Sequence, residues 1–227
     1  LAQLGFIVIT VGHRGGTPMR GKAYHTYGYN NMRDYPLADD KYAIEQLANR
    51  YDFIDINRVG IFGHSGGGFM ATAAICTYPD FYKAAVSSSG NHDNNIYNRG
   101  WVEIYNGVQE STKTIQTATG KDSIIYTFSS HVPTNMELAK NLKGHLLLVS
   151  GDQDRNVHPA HLLRMANALI QANKNFEMLL IPGAKHGYTG QANRFFEKKL
   201  WFHFAKYLLG DDSADYQGDI DYFMKKR

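Results

Sequence analysis

The feature that most constrains the fold is an apolar, strand-like segment that runs straight into a glycine-rich turn. Residues 59–62 read Val-Gly-Ile-Phe, and residues 63–67 follow at once as Gly-His-Ser-Gly-Gly. A helical pattern then begins at Ser65. A serine in such a Gly-X-Ser-X-Gly turn, with a strand before it and a helix after it, is typical of a nucleophile elbow, in which Oγ is exposed at the edge of a sheet. We predict that Ser65 is a nucleophile, against the alternative of a turn that binds phosphate or only packs closely.

Short apolar runs alternate with helical patterns along the rest of the chain. The runs are continuously apolar, which favours strands buried on both faces, and the patterns between them repeat at three and four residues. This alternation predicts an α/β fold with a mostly parallel sheet and helices on both faces. The predicted strands are 6–11, 59–62, 84–88, 146–149 and 176–181, and the predicted helices are 44–51, 65–76, 162–170 and 190–210.

Residues 91–141 break this rhythm, because they are polar and carry few clean periods. The segment is too long for a simple connection, so we interpret it as an excursion over the end of the sheet that shapes a pocket. No linker divides the chain, and its 227 residues predict one catalytic domain over 1–227. The chain opens at Leu1 without a basic leader and enters an apolar run directly, which we interpret as a domain cut from a longer protein.

Charge and composition exclude several classes of protein. The 24 basic and 21 acidic residues leave a net charge of +3, dispersed along the chain, which is unlike a nucleic-acid-binding protein. The one basic cluster, at residues 225–227, reads as a solvated terminus. No apolar stretch is long enough to span a membrane. The single cysteine, Cys76, excludes an internal disulfide and leaves the compartment open.

An acid and a histidine follow two later predicted strands, in the order that a serine hydrolase requires. Residues 146–149 lead into Asp152 and Asp154, and residues 176–181 lead into His186. The order Ser, Asp, His is that of α/β-hydrolases, whose first strands would then be missing from this chain. Because the carboxyl ends of parallel strands meet at one edge, these side chains should converge there. We favour Asp154 as the acid, since Asp152 can instead fix the turn.

The remaining histidines give weaker signals. His64 adjoins the candidate nucleophile, but we expect it to point away across the elbow. His158 and His161 have a spacing found among metal ligands, yet no further cluster accompanies them, so a solvated loop and helix start is the preferred interpretation. The sequence therefore predicts neither a metal site nor a cofactor.

Taken together, these motifs resemble the catalytic domain of the prolyl oligopeptidase family, and most closely its dipeptidyl-peptidase-IV branch. The resemblance rests on Gly63-His64-Ser65-Gly66-Gly67-Gly68, on residues 151–158, and on Lys185-His186-Gly187, and it extends from Leu1 to about Gly210. It implies Ser65 as nucleophile, Asp154 as orienting acid and His186 as general base. The Gly66 amide would stabilise the oxyanion.

The resemblance also implies a substrate-binding group. Asn156 lies where this branch holds a substrate carbonyl, and Val157 where it lines the pocket for the residue before the scissile bond. Tyr97 and Trp101 occupy the positions of two tyrosines that enclose a proline-sized ring, and Trp101 departs from that pattern. An ordinary packed aromatic pair for Tyr97 and Trp101, and a turn-forming role for Asn156, remain open.

The implied activity is a serine exopeptidase that releases dipeptides, with proline or a small residue before the cleaved bond. Two parts of the family's machinery lie outside this chain: a tyrosine that completes the oxyanion hole, and a β-propeller that reads the substrate amino terminus. The resemblance alone suggests a periplasmic or secreted location. A carboxylesterase on the same fold and a weakly active or non-catalytic module are the alternatives. The final helix, with Trp201, Phe202 and Phe204, reads either as a core face or as an association surface, such as that of a homodimer.

Overall fold

The centre of the molecule is a parallel four-stranded sheet, and a separate antiparallel hairpin holds two further strands. A computed structural model describes residues 1–215; the basic cluster predicted at residues 225–227 lies outside them. In chain order the helices and strands are α1 (Lys22–His25), α2 (Leu37–Arg50), β1 (Val59–His64), α3 (Gly66–Thr77), β2 (Tyr82–Ser88), α4 (Arg99–Tyr105), β3 (Gln109–Gln116), β4 (Asp122–Ser129), β5 (His145–Gly151), α5 (Ala160–Gln171), β6 (Glu177–Ile181) and α6 (Gly190–Phe204), which continues as a π-helical turn over Ala205–Leu209.

The strand order is β1-β2-β5-β6, and all three pairings in this sheet are parallel. Strand β5 shows how a continuously apolar strand serves two cores. Leu146 and Leu148 pack with α3 and α5 on one face, whereas Leu147 and Val149 pack with α6 on the other. Side chains alternate along a strand, so both faces must be apolar when helices cover both. The predicted α/β sheet with helices on both faces is confirmed.

The prediction of a strand at residues 6–11 is wrong. The segment forms no ladder, and Ile7, Val8 and Ile9 are each at least 41% exposed. A cavity of about 1050 Å³ lies between this segment and the outer edge of β1. A strand needs a neighbour at about 4.8 Å to pair its backbone groups. The apolar run alone therefore could not make residues 6–11 a strand in this structure.

The excursion over 91–141 contains elements that the sequence reading did not separate. It begins with buried polar residues from Asn91 to Asn94, continues through α4, and then extends into the β3–β4 hairpin. In this hairpin Gln109 pairs with Ser129 and Gln116 with Asp122. A signal was present, because a short loop with a glycine, here Gly120 at φ 75°, joins two stretches rich in Thr and Ile.

The final helix uses its apolar stripe mainly for the core. Leu200, Phe204 and Leu208 are buried against β2 and β5, and Trp201 packs beside them. The core-face interpretation therefore accounts for this stripe. No helix within residues 1–215 is both long and apolar enough to cross a membrane.

Candidate active site

Ser65 occupies a sharp turn between β1 and α3. Its backbone angles are φ 58° and ψ −122°, a conformation that residues with a side chain rarely adopt. Such strain costs about 1–3 kcal/mol and persists only where the surroundings hold it in place. Here the Ser65 amide donates to the carbonyl of Ser88 on the neighbouring strand, at 2.8 Å. The turn therefore has the backbone strain expected of a nucleophile elbow.

Close packing of strand and helix explains two of the glycines around this turn. A Cβ added to Gly63 would overlap the carbonyl group of Gly67, and one added to Gly68 would lie 2.6 Å from the carbonyl oxygen of Ser88. A Cβ on Gly67 would meet nothing within 4 Å. The close approach of β1 and α3 therefore requires glycine at positions 63 and 68. The Gly-X-Ser-X-Gly pattern alone points to positions 63 and 67.

The structure brings the predicted acid, histidine and serine together at the carboxyl ends of three strands. The Ser65 Oγ lies 3.0 Å from His186 Nε2, and His186 Nδ1 lies 2.8 Å from Asp154 Oδ2. Asp154 is 1% exposed, and its Oδ1 accepts from the amides of Asn156 and Val157 at 2.9 and 2.8 Å. These two amide donors fix the carboxylate and satisfy its buried charge.

Asp152, the rival acid, has a different task. Its Oδ1 accepts from the Gly183 amide at 2.6 Å, and Gly183 has φ 72°. The side chain is exposed and joins the turn after β5 to the turn after β6. Asp152 therefore braces the loop that carries His186, and Asp154 is the acid that contacts the imidazole.

The sequence predicts that His64 points away from Ser65, and in the structure His64 packs against His186. Its ring centroid lies 4.8 Å from that of His186, with the two planes tilted by 51°. His64 Nδ1 is 2.9 Å from Ser88 Oγ. Partial desolvation lowers the pKa of His64, although the residue as a whole is exposed, and the neighbouring His186 lowers the pKa further. Residue order could not reveal this contact, because it depends on where the loop after β6 returns to the sheet.

Gly66 is the first residue of α3, so its amide is one of the helix-start groups that lack an intrahelical acceptor. A helix N-terminus favours negative charge. Gly66 also lines the cavity that borders residues 6–11, and Trp101 lines the same cavity. The position is suited to an oxyanion.

The four predicted substrate-binding residues fall into two connected pairs. The Tyr97 hydroxyl donates to Asn156 Oδ1 at 2.8 Å, which links the excursion to the loop after β5. Tyr97 and Trp101 meet edge to face, with centroids 5.3 Å apart. Val157 is buried beside Asn156. The aromatic pair therefore packs as ordinary aromatics do, and it also borders the candidate site through Asn156.

The prediction that His158 and His161 are solvated is correct for His158 and wrong for His161. His158 is exposed, whereas His161 is 2% exposed and its Nδ1 accepts from the Asp93 amide at 3.3 Å. Asp93 in turn pairs with Arg164 at 2.9 Å. His161 also packs against Tyr97, at 6.1 Å between ring centroids. Within residues 1–215 no group of three or more His, Cys, Asp or Glu is arranged to hold a metal ion.

Comparisons with known proteins identify the family of this chain. A sequence profile of the prolyl oligopeptidase family matches residues 1–212. Human dipeptidyl peptidase 8 is 30% identical over 94% of this chain, and bovine prolyl endopeptidase FAP is 24% identical over 92%. The matched segments make up 22% and 25% of those proteins, so the chain spans about a quarter of their length.

Solved structures show the same fold. A putative dipeptidyl aminopeptidase IV from Bacteroides ovatus superposes with a TM-score of 0.72 over 86% of this chain and 26% of its own, at 23% identity. Porphyromonas gingivalis dipeptidyl peptidase 4 gives 0.67 over 82% of this chain and 24% of its own, at 25% identity. The predicted α/β-hydrolase fold is confirmed. The upstream propeller and the homodimer stay predictions.

Proposed function

Because the chain belongs to the prolyl oligopeptidase family, we propose that it is the catalytic domain of a serine peptidase, with Ser65, His186 and Asp154 as its catalytic residues. The observation that carries this proposal is the continuous chain of contacts from Ser65 Oγ through both nitrogens of His186 to the buried Asp154. A serine hydroxyl is a weak nucleophile, and it needs a base that a third group orients.

The proposed reaction is acyl transfer in two halves. As Ser65 Oγ attacks the peptide carbonyl carbon, its proton passes to His186 Nε2. The C–N bond then breaks, His186 gives that proton to the departing amine, and the acyl group remains as an ester on Ser65. Water attacks the ester with His186 again as base, which releases the acid and restores the serine. Asp154 remains a carboxylate and accepts the hydrogen bond from the Nδ1–H of His186 throughout the cycle.

The proposed oxyanion donor is the Gly66 amide. Negative charge develops on the carbonyl oxygen when Oγ attacks, and a donor already in place lowers the barrier without reorganisation. Two features support Gly66 in this role: it directly follows Ser65, and it lies at the start of α3. One such donor contributes about 10²–10³-fold to turnover in other serine hydrolases.

For specificity we propose the release of dipeptides, with proline or a small residue before the cleaved bond. Dipeptidyl peptidase 8 is the name of the relative at 30% identity, and Tyr97 and Trp101 supply apolar surface for a compact ring, whereas Val157 is 2% exposed and offers little surface. Since Asn156 Oδ1 accepts from Tyr97, Nδ2 is the group with which Asn156 would donate to a substrate carbonyl. Tyr97 thereby selects the orientation of that amide.

A fluorophosphonate probe tests the catalytic assignment. The wild-type protein should become labelled, and Ser65→Ala should abolish labelling while the unfolding temperature stays close to that of the wild type. Labelling that survives in Ser65→Ala would exclude Ser65 as the nucleophile. A folded wild-type protein that takes up no probe would favour a non-catalytic module.

Two chromogenic substrates separate the peptidase from the esterase. We expect turnover of an Xaa-Pro anilide, with a free amino terminus, at a rate that Ser65→Ala removes. Rapid cleavage of p-nitrophenyl acetate without any anilide cleavage would instead identify a carboxylesterase on the same elbow.

A further inference from the structure

Two hydrogen bonds hold His186, one at each ring nitrogen, whose lone pair or N–H points outward in the plane of the ring. One joins Nδ1 to Asp154 and the other joins Nε2 to Ser65. Contacts at these two nitrogens fix where the ring lies, but they leave it free to tilt about the line that joins the two partners. A base that tilts loses its alignment with the Ser65 proton. A further contact is needed to restrict this motion.

We infer that His64 is a positioning residue for His186, and that its ring restricts this tilt. The inference rests on the proposed function, since it concerns the same base. The ring centroids lie 4.8 Å apart, within the range of packed aromatic pairs. His64 therefore contacts the ring of the residue that it would position.

The His64 ring is itself held by neighbouring side chains. Its Nδ1 lies 2.9 Å from Ser88 Oγ, and the Ser88 hydroxyl donates to Tyr188 Oη at 3.0 Å. Ser89 Oγ lies 3.1 Å from the same Tyr188 oxygen. The Tyr188 ring meets His64 edge to face at 5.7 Å and packs against Phe196 at 5.1 Å. His64 is thus anchored to β2, to the loop after β6 and, through Tyr188, to α6.

Ser88 contacts both the His64 ring and the backbone of the nucleophile. Its carbonyl oxygen accepts from the Ser65 amide at 2.8 Å, while its hydroxyl lies next to His64. One buried residue of β2 therefore holds the strained backbone of the elbow and the ring beside the base. This arrangement couples the position of the nucleophile to that of His186 by a route that does not pass through Asp154.

Charge around His64 is compatible with the role. The titratable groups that face it are His186, Asp154 and Tyr188. Partial desolvation and His186 lower the pKa of His64, whereas Asp154 opposes that shift. A neutral ring adds no like charge beside His186 when that residue takes up the serine proton. His64 can then act through packing without opposing the chemistry.

Three substitutions distinguish the effect of the His64 ring from that of its hydrogen bond to Ser88. His64→Ala removes the ring, and His64→Gln also removes it but keeps a polar group near Ser88. His64→Phe keeps the ring and loses the nitrogen. We expect kcat for an Xaa-Pro anilide to fall about tenfold to a hundredfold in the Ala and Gln variants, because small misplacements of catalytic groups have effects of this size. KM should change little, and His64→Phe should recover most of the loss.

The controls separate this inference from folding and from the proposed function. His131→Ala, an exposed histidine of the excursion, should retain the wild-type kcat, and unfolding temperatures identify any variant that fails to fold. Full activity in His64→Gln, or a loss in His64→Phe as large as in His64→Ala, would overturn the role of the ring. Either result with Ser65 still labelled leaves the proposed function intact. A folded wild-type protein that takes up no probe at Ser65 would instead contradict the proposed function.

Discussion

The carboxyl edge of the sheet and the 91–141 excursion border the same candidate site, but they hold their residues differently. At the edge, Ser65, Asp154 and His186 follow β1, β5 and β6, and each is tied to a neighbouring loop or strand by a hydrogen bond. In the excursion, Tyr97 is tied to the edge by one hydroxyl contact, to Asn156. Parallel strands with both faces covered position the reacting groups rigidly, whereas an insertion offers surface that can change without disturbing them.

The largest expected effect concerns the two acids of the edge. Asp154→Asn should lower kcat about 10⁴-fold, as loss of the orienting carboxylate does in other serine triads, because His186 would be held in the wrong tautomer. Asp152→Asn, the matched control, removes only a carboxylate that braces a turn. Steady-state kinetics on both variants makes the comparison. A loss confined to Asp152→Asn would exchange their roles.

A smaller effect, on stability, is expected where the excursion meets α5. Burial lowers the pKa of His161 to about 4, so His161 stays neutral at pH values where an unfolded histidine is protonated. Between pH of about 6.5 and about 4 the unfolded state binds more protons, and the free energy of unfolding should therefore fall as the pH is lowered, by about 3 kcal/mol from this residue.

Urea titrations at several pH values measure that dependence. His161→Gln keeps an acceptor for the Asp93 amide, and its free energy of unfolding should vary less with pH over this window than that of the wild type. His158→Gln, an exposed histidine three residues earlier, should retain the wild-type dependence. Equal pH dependence in wild type and His161→Gln would show that His161 does not titrate in this way.

The smallest effect is expected from the Tyr97 hydroxyl, which joins the excursion to the loop after β5. Tyr97→Phe removes the donor to Asn156 Oδ1 but keeps the ring against Trp101. A lost hydrogen bond of about 1 kcal/mol predicts a decrease of roughly fivefold in kcat/KM for an Xaa-Pro anilide. Labelling by a small fluorophosphonate, which makes no use of Asn156, should be unchanged.

Tyr105→Phe is the control for this prediction, since it removes a tyrosine hydroxyl from α4, the helix that carries Trp101, and keeps the ring contact with Trp101. If Tyr97→Phe slows labelling as strongly as anilide cleavage, the excursion contributes to the chemistry itself, and the distinction between the two regions fails. If neither rate changes, Asn156 does not depend on Tyr97 for its orientation.

The sequence was most informative where local pattern and backbone geometry agree. The apolar runs at 59–62, 84–88, 146–149 and 176–181 lie in observed strands, the last to within one residue, and the turn at Ser65 has the strained backbone typical of a nucleophile elbow. The run at 6–11 had a similar composition and failed, because a strand also requires a paired neighbour. The sequence analysis did not predict the β3–β4 hairpin, because few of its residues are apolar, although the glycine in its short loop was a usable signal.

The sequence by itself determined the order of the elements and the residue types that end the strands, because these depend on periodicity and on chain direction. Only the tertiary structure decided which groups meet. It chose Asp154 over Asp152, brought His64 against His186, and buried His161 beneath Tyr97. Contacts between loops distant in the chain depend on how strands pair and where each loop returns, and no local pattern encodes those distances.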